Sequence, residues 1–302
     1  MKGASLIDTK IQRTFLFITG ICFSLFLSAC SVQHHLLQNA GDLLSKESSN
    51  TEDDLELLKH ASAYHLKISE SVLSEIPDHV KLSEAVTRGF TQYAFVFLMD
   101  EADRTESDGI QQATLLRARA AKMLLRAKVH GFRTLTLNYP QLAAYLASNK
   151  NIAPPKLSIE DTGLAYWTMT SWAGAISLSK DNPDIVADLP QVIKLAELIW
   201  QINPKYDNGA IASMMGTLEL AKPGGKTETA EKYFDMAIEW RNDQVAPLVS
   251  KAENWAVTTQ NKEAFKQLLE MAIATPNKQS HLSNTVIVRR AHWLLDSIDN
   301  LF

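Results

Sequence analysis

Residues 227–240 read TETAEKYFDMAIEW, and the spacing of Ala230, Phe234 and Ala237 within them decides the fold. The three recur at intervals of four and three, the repeat of one helix face, and the two alanines leave room for a second helix to approach closely around the ring. A partner precedes them. Gly216 supplies the small contact residue of a first helix, and KPGGKT (222–227) forms the turn between the two.

The same arrangement recurs along the chain. Ala252 and Trp255 sit in a first helix, followed by Ala264, Leu268, Met271 and a closing Pro276; Ala120, Leu124 and Ala127 repeat the second-helix pattern, and Val192, Ala196, Ile199 and Pro204 follow it more loosely. Nearer the N-terminus, Leu55, Leu58, Ala61, His65, Ile68 and Val72 form a helical stripe closed by Pro77. A second helix spans roughly Leu82 to Arg104 with Ala85, Gly89, Tyr93, Val96 and Phe97, and a third runs from about Ile110 to Val129. Val286-Ile287-Val288 is the only β-branched run and leads into a helical pattern, so strand signals are almost absent. The expectation is an all-α chain of antiparallel helix pairs, degenerate tetratricopeptide-like repeats forming a single solenoid-like domain over 55–302. An irregular bundle with Ala-rich packing faces is the alternative.

Composition agrees. The 302 residues are 46% hydrophobic, enough for a core, and the 12 glycines and 10 prolines are too few for collagen-like or many-turned all-β architectures. With 30 Lys+Arg against 34 Asp+Glu, the net charge of −4 lacks the basic excess of a dedicated nucleic-acid binder.

The first 29 residues read as an address. Lys2, Lys10 and Arg13 precede an uncharged apolar run from Phe15 to Ser28, which is shorter than the ~20 residues a spanning helix needs. Leu27-Ser28-Ala29-Cys30 then resembles the lipobox of bacterial lipoproteins, in which the Cys receives diacylglycerol and becomes the new N-terminus. An ordinary secretory signal, or an anchor helix with an accidental Cys, is the other reading. On the lipoprotein reading Cys22 is discarded, Cys30 is the lipidation site, and residues 30–54, including the polar run SKESSNTEDD (45–54), form a tether. The leader carries away three basic residues and Asp8, so the net charge of the mature chain falls from −4 to −6, which weakens any anionic-lipid reading as well. No later stretch approaches eighteen uncharged apolar residues, so the membrane is met through the lipid anchor only. Ser31, where Asp favours inner-membrane retention, points to the periplasmic face of the outer membrane.

No catalytic motif is complete. Gly225-Lys226-Thr227 ends like a phosphate-binding loop, but Leu220 stands where the first Gly belongs. Ser177-Leu178-Ser179-Lys180 has S-x-x-K spacing without an accompanying S-D-N or K-T-G. His60 and His65 lie five apart, off a common helix face, and H-E-x-x-H is missing, so no metal or other cofactor is expected. Asp100-Glu101-Ala102-Asp103-Arg104 reads as a solvated, partly self-paired face rather than an acid/base pair. The chain reads as non-catalytic. What remains is aromatic: Trp167, Trp172, Trp200, Trp240, Trp255 and Trp293 all fall on helices, with Tyr93 and Tyr166 beside them, where core packing and a ligand or partner face are both open.

Several segments in order resemble the T component of TPR-protein-associated TRAP transporters, the TatT family. They are Thr91-Gln92-Tyr93-Ala94-Phe95 with Glu101-Ala102-Asp103-Arg104, Tyr166-Trp167 and Trp172, and the run 175–181 with Asp188-Leu189-Pro190. Pro204 with Tyr206-Asp207-Asn208-Gly209-Ala210, Pro223-Gly224-Gly225, and the tail from Arg289-Arg290-Ala291 to Phe302 complete the set. The resemblance implies a periplasm-facing lipoprotein of cryptic tetratricopeptide-like helices that docks the substrate-binding component of a tripartite ATP-independent transporter and assists uptake of organic acids or hydrophobic ligands. It allows a homotrimer. Within it, Tyr93, Tyr166, Trp167 and Trp172 are the candidate binding residues. The alternative function is a repeat scaffold for envelope assembly, unrelated to transport. The segment Phe132 to Ser158, with its NKNIAPPK run, departs from the family pattern.

Overall fold

The computed structural model describes residues 34–46, 54–148, 152–276 and 282–302, and these are all-helical, with no strand among them. The leader, Cys30 and most of the polar run 45–54 lie outside the described residues. Helix α1 covers residues 34–45, followed by α2 (Leu55–Glu75) and α3 (Val80–Tyr93). A π-turn (Ala94–Met99) carries α3 into α4 (Asp100–Thr105). Next come α5 (Ile110–Asn138), α6 (Leu142–Ala147), α7 (Thr162–Ser177), α8 (Pro183–Val186) and α9 (Leu189–Ile202). The C-terminal part comprises α10 (Ala210–Ala221), α11 (Thr227–Trp240), α12 (Ala246–Lys251) with a π-turn at Ala252–Ala256, α13 (Lys262–Ala274) and α14 (Leu282–Asp296).

Local chemistry sets the starts. The Asp54 carboxylate accepts from the N–H groups of Glu56 and Leu57, and Asn261 caps α13 through Ala264 N–H. His79 caps α3 with Nδ1, accepting from Leu82 N–H just after Pro77 has ended α2.

The helices pack as successive pairs. The α3–α4 rod lies on α5, α7 on α9, α10 on α11, and α12 on α13, with α14 closing the row against α13. The Gly216–Phe234 contact is as the spacing requires: Phe234 is wholly buried, and a Cβ on Gly216 would stand 2.8 to 3.0 Å from three ring carbons. Ala120, Leu124 and Ala127 are buried in α5, and Val192, Ala196 and Ile199 in α9.

Three registers differ from the sequence reading. In α3 the buried face is Leu82, Val86, Phe90 and Tyr93, while Ala85 and Gly89 of the expected stripe are only half-buried. In α13 the inward residues are Phe265, Leu269 and Ala272, one position beyond the expected Ala264, Leu268 and Met271; the Phe265 ring, larger than the Ala264 methyl, takes the core place and packs on Phe302 at 5.2 Å between centroids. In α2 the buried face is Leu66, Ser69, Glu70 and Leu73, leaving Ala61, His65 and Ile68 exposed. A polar interaction turns that helix. Glu70 accepts from Arg126 and His130 of α5 and from Lys67, so an acidic residue goes inward with its charge satisfied.

Helix α5 also runs nine residues past its expected end. The segment after it is held in place. The Tyr139 hydroxyl donates to Asp161 at 2.5 Å and accepts from Ser158 N–H, while Lys194 of α9 reaches the carbonyls at the end of α6.

Candidate functional site

Helix α7 is buried on almost every side, unlike a surface helix with one apolar stripe, and it packs against α3, α5 and α9. Tyr166 lies on it, enclosed, with its ring 5.3 Å from Trp167 and 4.9 Å from Tyr206. Tyr206 is aimed inward by an unusual turn. Asp207 and Asn208 take φ of 45° and 52°, and Gly209 follows at 102°, a run of three left-handed residues that only glycine adopts without strain. The loop between α11 and α12 braces it, with Gln244 donating to Asp207 at 3.1 Å and Asn242 to Asn208 at 2.9 Å. A Cβ on Gly209 would meet the Ala237 backbone at 2.9 Å, so no other residue fits there.

The acidic side chain Glu84 of α3 comes up against the first turn of α7. A Cβ on Gly163 would stand 2.3 Å from its Oε1, so the glycine opens the space that the carboxylate fills. Burial pushes the Tyr206 phenol far above its usual pKa, the charges of Glu84 and Asp207 add to this, and Arg88 opposes it. Tyr166 is raised likewise by burial and then by Asp207. Both phenols are therefore neutral at physiological pH. Glu84 and Arg88, whose charges act on Tyr206, also line a cavity of about 550 Å³ between α1 and α3, with Asp42, Ser45 and Lys46 on one wall and Lys81 and Ala85 beside them on the other. The α3 residues share one helix face, and both signs of charge converge on the space.

The four expected binding residues separate. Tyr166 and Trp167 belong to the aromatic cluster with Tyr206. Tyr93 is 5% exposed in the core of α2–α5, with its ring 5.1 Å from Phe97. Trp172 is 2% exposed, its indole N–H donates to Asp188 at 2.9 Å, and the Lys128 ammonium covers its ring at 4.2 Å. Tyr206, Glu84 and Arg88 do not stand out as site residues in the sequence, because α3, α7 and the turn before α10 are far apart in the chain. The Asp-Asn-Gly triplet is the available sign.

A second junction joins α4 to α14. Asp100 is buried and pairs with Arg104 of its own helix at 2.8 Å and with Arg289 of α14 at 3.0 Å, so the acidic run Asp100–Arg104 is not the solvated face its sequence suggests. Arg290 reaches Asp103 at 3.1 Å and Glu253 at 2.6 Å, and the guanidinium groups of Arg104 and Arg290 lie 5.8 and 5.3 Å from the centre of the Trp293 ring. A smaller cavity, about 360 Å³, adjoins this seam. The KPGGKT turn is closed. A Cβ on Gly225 would overlap the Glu219 carbonyl, and the Glu219 carboxylate accepts from Lys226 N–H at the start of α11, where a phosphate would have to sit.

Comparison with known proteins bears on the whole of this arrangement. Residues 51–302 match the family described as TRAP transporter T-component. The chain belongs to that family. An uncharacterized protein of Treponema pallidum (strain Nichols) is 24% identical over 262 residues, covering 83% of this chain and 81% of the relative. In this T-component the segments that carry the family resemblance have definite places: 206–210 is the left-handed turn beside Tyr166, and 101–104 meets Arg289 and Arg290 across the seam. None of its described helices is long and apolar enough to cross a membrane.

Proposed function

We propose that this T-component is a non-catalytic, lipid-anchored envelope protein that docks the periplasmic substrate-binding protein of a TRAP transporter and assists uptake of an organic acid or hydrophobic ligand. Membership of the T-component family carries this reading and ties the chain to a TRAP system. Acylation at Cys30 follows from the lipobox, and the outer membrane's periplasmic face from Ser31. The helical pairs supply a rigid frame, and tethering to the membrane raises the local concentration of both partners. Within the frame, we assign ligand contact to the 550 Å³ cavity and the aromatic cluster linked to it through Glu84 and Arg88: Tyr166, Trp167 and Tyr206 offer apolar faces and neutral hydroxyls, and Glu84 and Arg88 offer charge.

The test is a pull-down of the tagged, acylated protein from its own membranes, with mass spectrometry of proteins and small molecules. Recovery of a TRAP-type substrate-binding protein is the expected result, reduced by Tyr206→Ala. Recovery of peptidoglycan or pilus assembly proteins in its place would favour the scaffold alternative and refute the transport reading.

A further inference from the structure

Helix α5 is the longest described helix, with 29 residues, and it carries six Lys and Arg without a single Asp or Glu. An ordinary solvated helix mixes the signs, because like charges four apart repel. Three of the six are accounted for. Arg126 bonds Glu70, Arg117 bonds Asp103 and Glu106, and Lys128 covers the Trp172 ring. The side chains of Arg119, Lys122 and Arg133 make no ion pair or hydrogen bond with another described residue, and all three residues are exposed.

Their placement is linear. Arg119, Lys122, Arg126 and Arg133 follow one another at intervals of three, four and seven, which is one ridge of the helix. Leu115 and Leu137 extend the ridge at its ends and Val129 interrupts it, with exposures of 66%, 52% and 58%. From Leu115 to Leu137 it extends roughly 33 Å along the helix, at ~1.5 Å per residue. In a chain of net charge −4, this is a local reversal of sign.

We infer that this ridge of α5 is a second membrane contact, laid against the anionic headgroups of a phospholipid surface. A row of cations along one helix face, with apolar side chains among them, fits an anionic layer, where guanidinium and ammonium groups meet phosphate and the Leu and Val side chains enter the acyl boundary. The ridge carries none of the aromatic anchors that protein interfaces favour, while its arginines suit either kind of surface. A protein held by acyl chains at its N-terminus also gains orientation from a basic second contact. The overall acidity that weighs against anionic lipid describes the whole chain and not this face.

The experiment uses the chain from Ser31 onward, which carries every described helix and no acyl group, mixed with vesicles of pure phosphatidylcholine or of phosphatidylcholine with about one-third phosphatidylglycerol. Binding is read by co-sedimentation. The wild type is expected to bind the phosphatidylglycerol vesicles, to be released as salt rises, and to ignore the neutral ones. The triple variant R119Q/K122Q/R133Q is expected to bind on the order of 100-fold more weakly, since each basic group near the surface supplies roughly a factor of five. Because all three side chains are exposed and unpaired, its thermal melt should match the wild type, which separates this outcome from misfolding. Equal binding to both vesicle types, or by wild type and variant, would overturn the inference. So would loss of binding-protein docking in the variant with vesicle binding unchanged, a result that would assign the ridge to a protein partner.

Discussion

Gly216→Ala tests the close approach on which the helix pairs depend. The new Cβ would lie 2.8, 2.9 and 3.0 Å from three carbons of the Phe234 ring, where carbon contacts ordinarily rest at about 3.5–4.0 Å. The ring is fully buried, so it must retreat by roughly 0.7 Å or the helices must part. Overpacking of this kind costs about 1–3 kcal/mol. Against it, Ala in place of Gly in mid-helix gains about 1 kcal/mol. The expected net effect is a loss of roughly 1 kcal/mol, where an open helical site would show a gain. Phe234→Ala alone should cost about 3–5 kcal/mol by leaving a cavity. In the double variant the methyl introduced at position 216 enters the vacated space, so the combined loss should fall short of the sum of the two by about 1–2 kcal/mol. Urea unfolding followed by circular dichroism measures all four proteins. A stabilised Gly216→Ala protein, or strict additivity, would refute the packing described for α10 and α11.

Burial alone would raise the pKa of Glu70, but the hydrogen bonds from Arg126, Lys67 and His130 outweigh it and lower it from 4.5 to about 2. A depressed carboxylate stabilises the fold above its unfolded value. Allowing for solvent screening at Lys67 and Arg126, about 2–3 kcal/mol should be present above pH 4.5 and lost as the pH falls toward 2. Acid titration of unfolding should show that slope in the wild type and a flatter one in Glu70→Gln. Arg290→Ala removes the contacts to Asp103, Glu253 and Trp293 and should cost roughly 2 kcal/mol, with faster amide exchange in α14 while α5 and α7 keep their protection. Gly209→Ala combines a left-handed φ with a 2.9 Å backbone contact and should cost more than about 2 kcal/mol in thermal melts; an unchanged midpoint would contradict the turn geometry.

The sequence carries the helix pairs more openly than the site. Ala230, Phe234 and Ala237 are legible because helical spacing and side-chain size are local properties, and Gly216 follows from the need to face them. Register is harder where two faces of a helix are similarly apolar. In α13 the choice between Leu268 and Leu269 turns on where Phe265 can pack, and in α2 it turns on Arg126 and His130, more than fifty residues away. The site is less legible still. Tyr166 and Trp167 are visible as aromatics, but Glu84, Arg88 and Tyr206 join them only through tertiary packing, and Tyr93 and Trp172 look the same in sequence although they fill cores. The seam between Asp100–Arg104 and Arg289–Arg290 likewise needs residues almost 190 apart in the chain to meet.

Docking is the central claim, and sedimentation velocity tests it most directly. The acyl-free chain from Ser31 onward would be mixed with the TRAP-type substrate-binding protein of the same organism. A discrete faster-sedimenting complex is expected at low micromolar concentration, weakened by alanine at Tyr206 and retained in the Gln variants of the α5 ridge. Two independently sedimenting species at high micromolar concentration would contradict it.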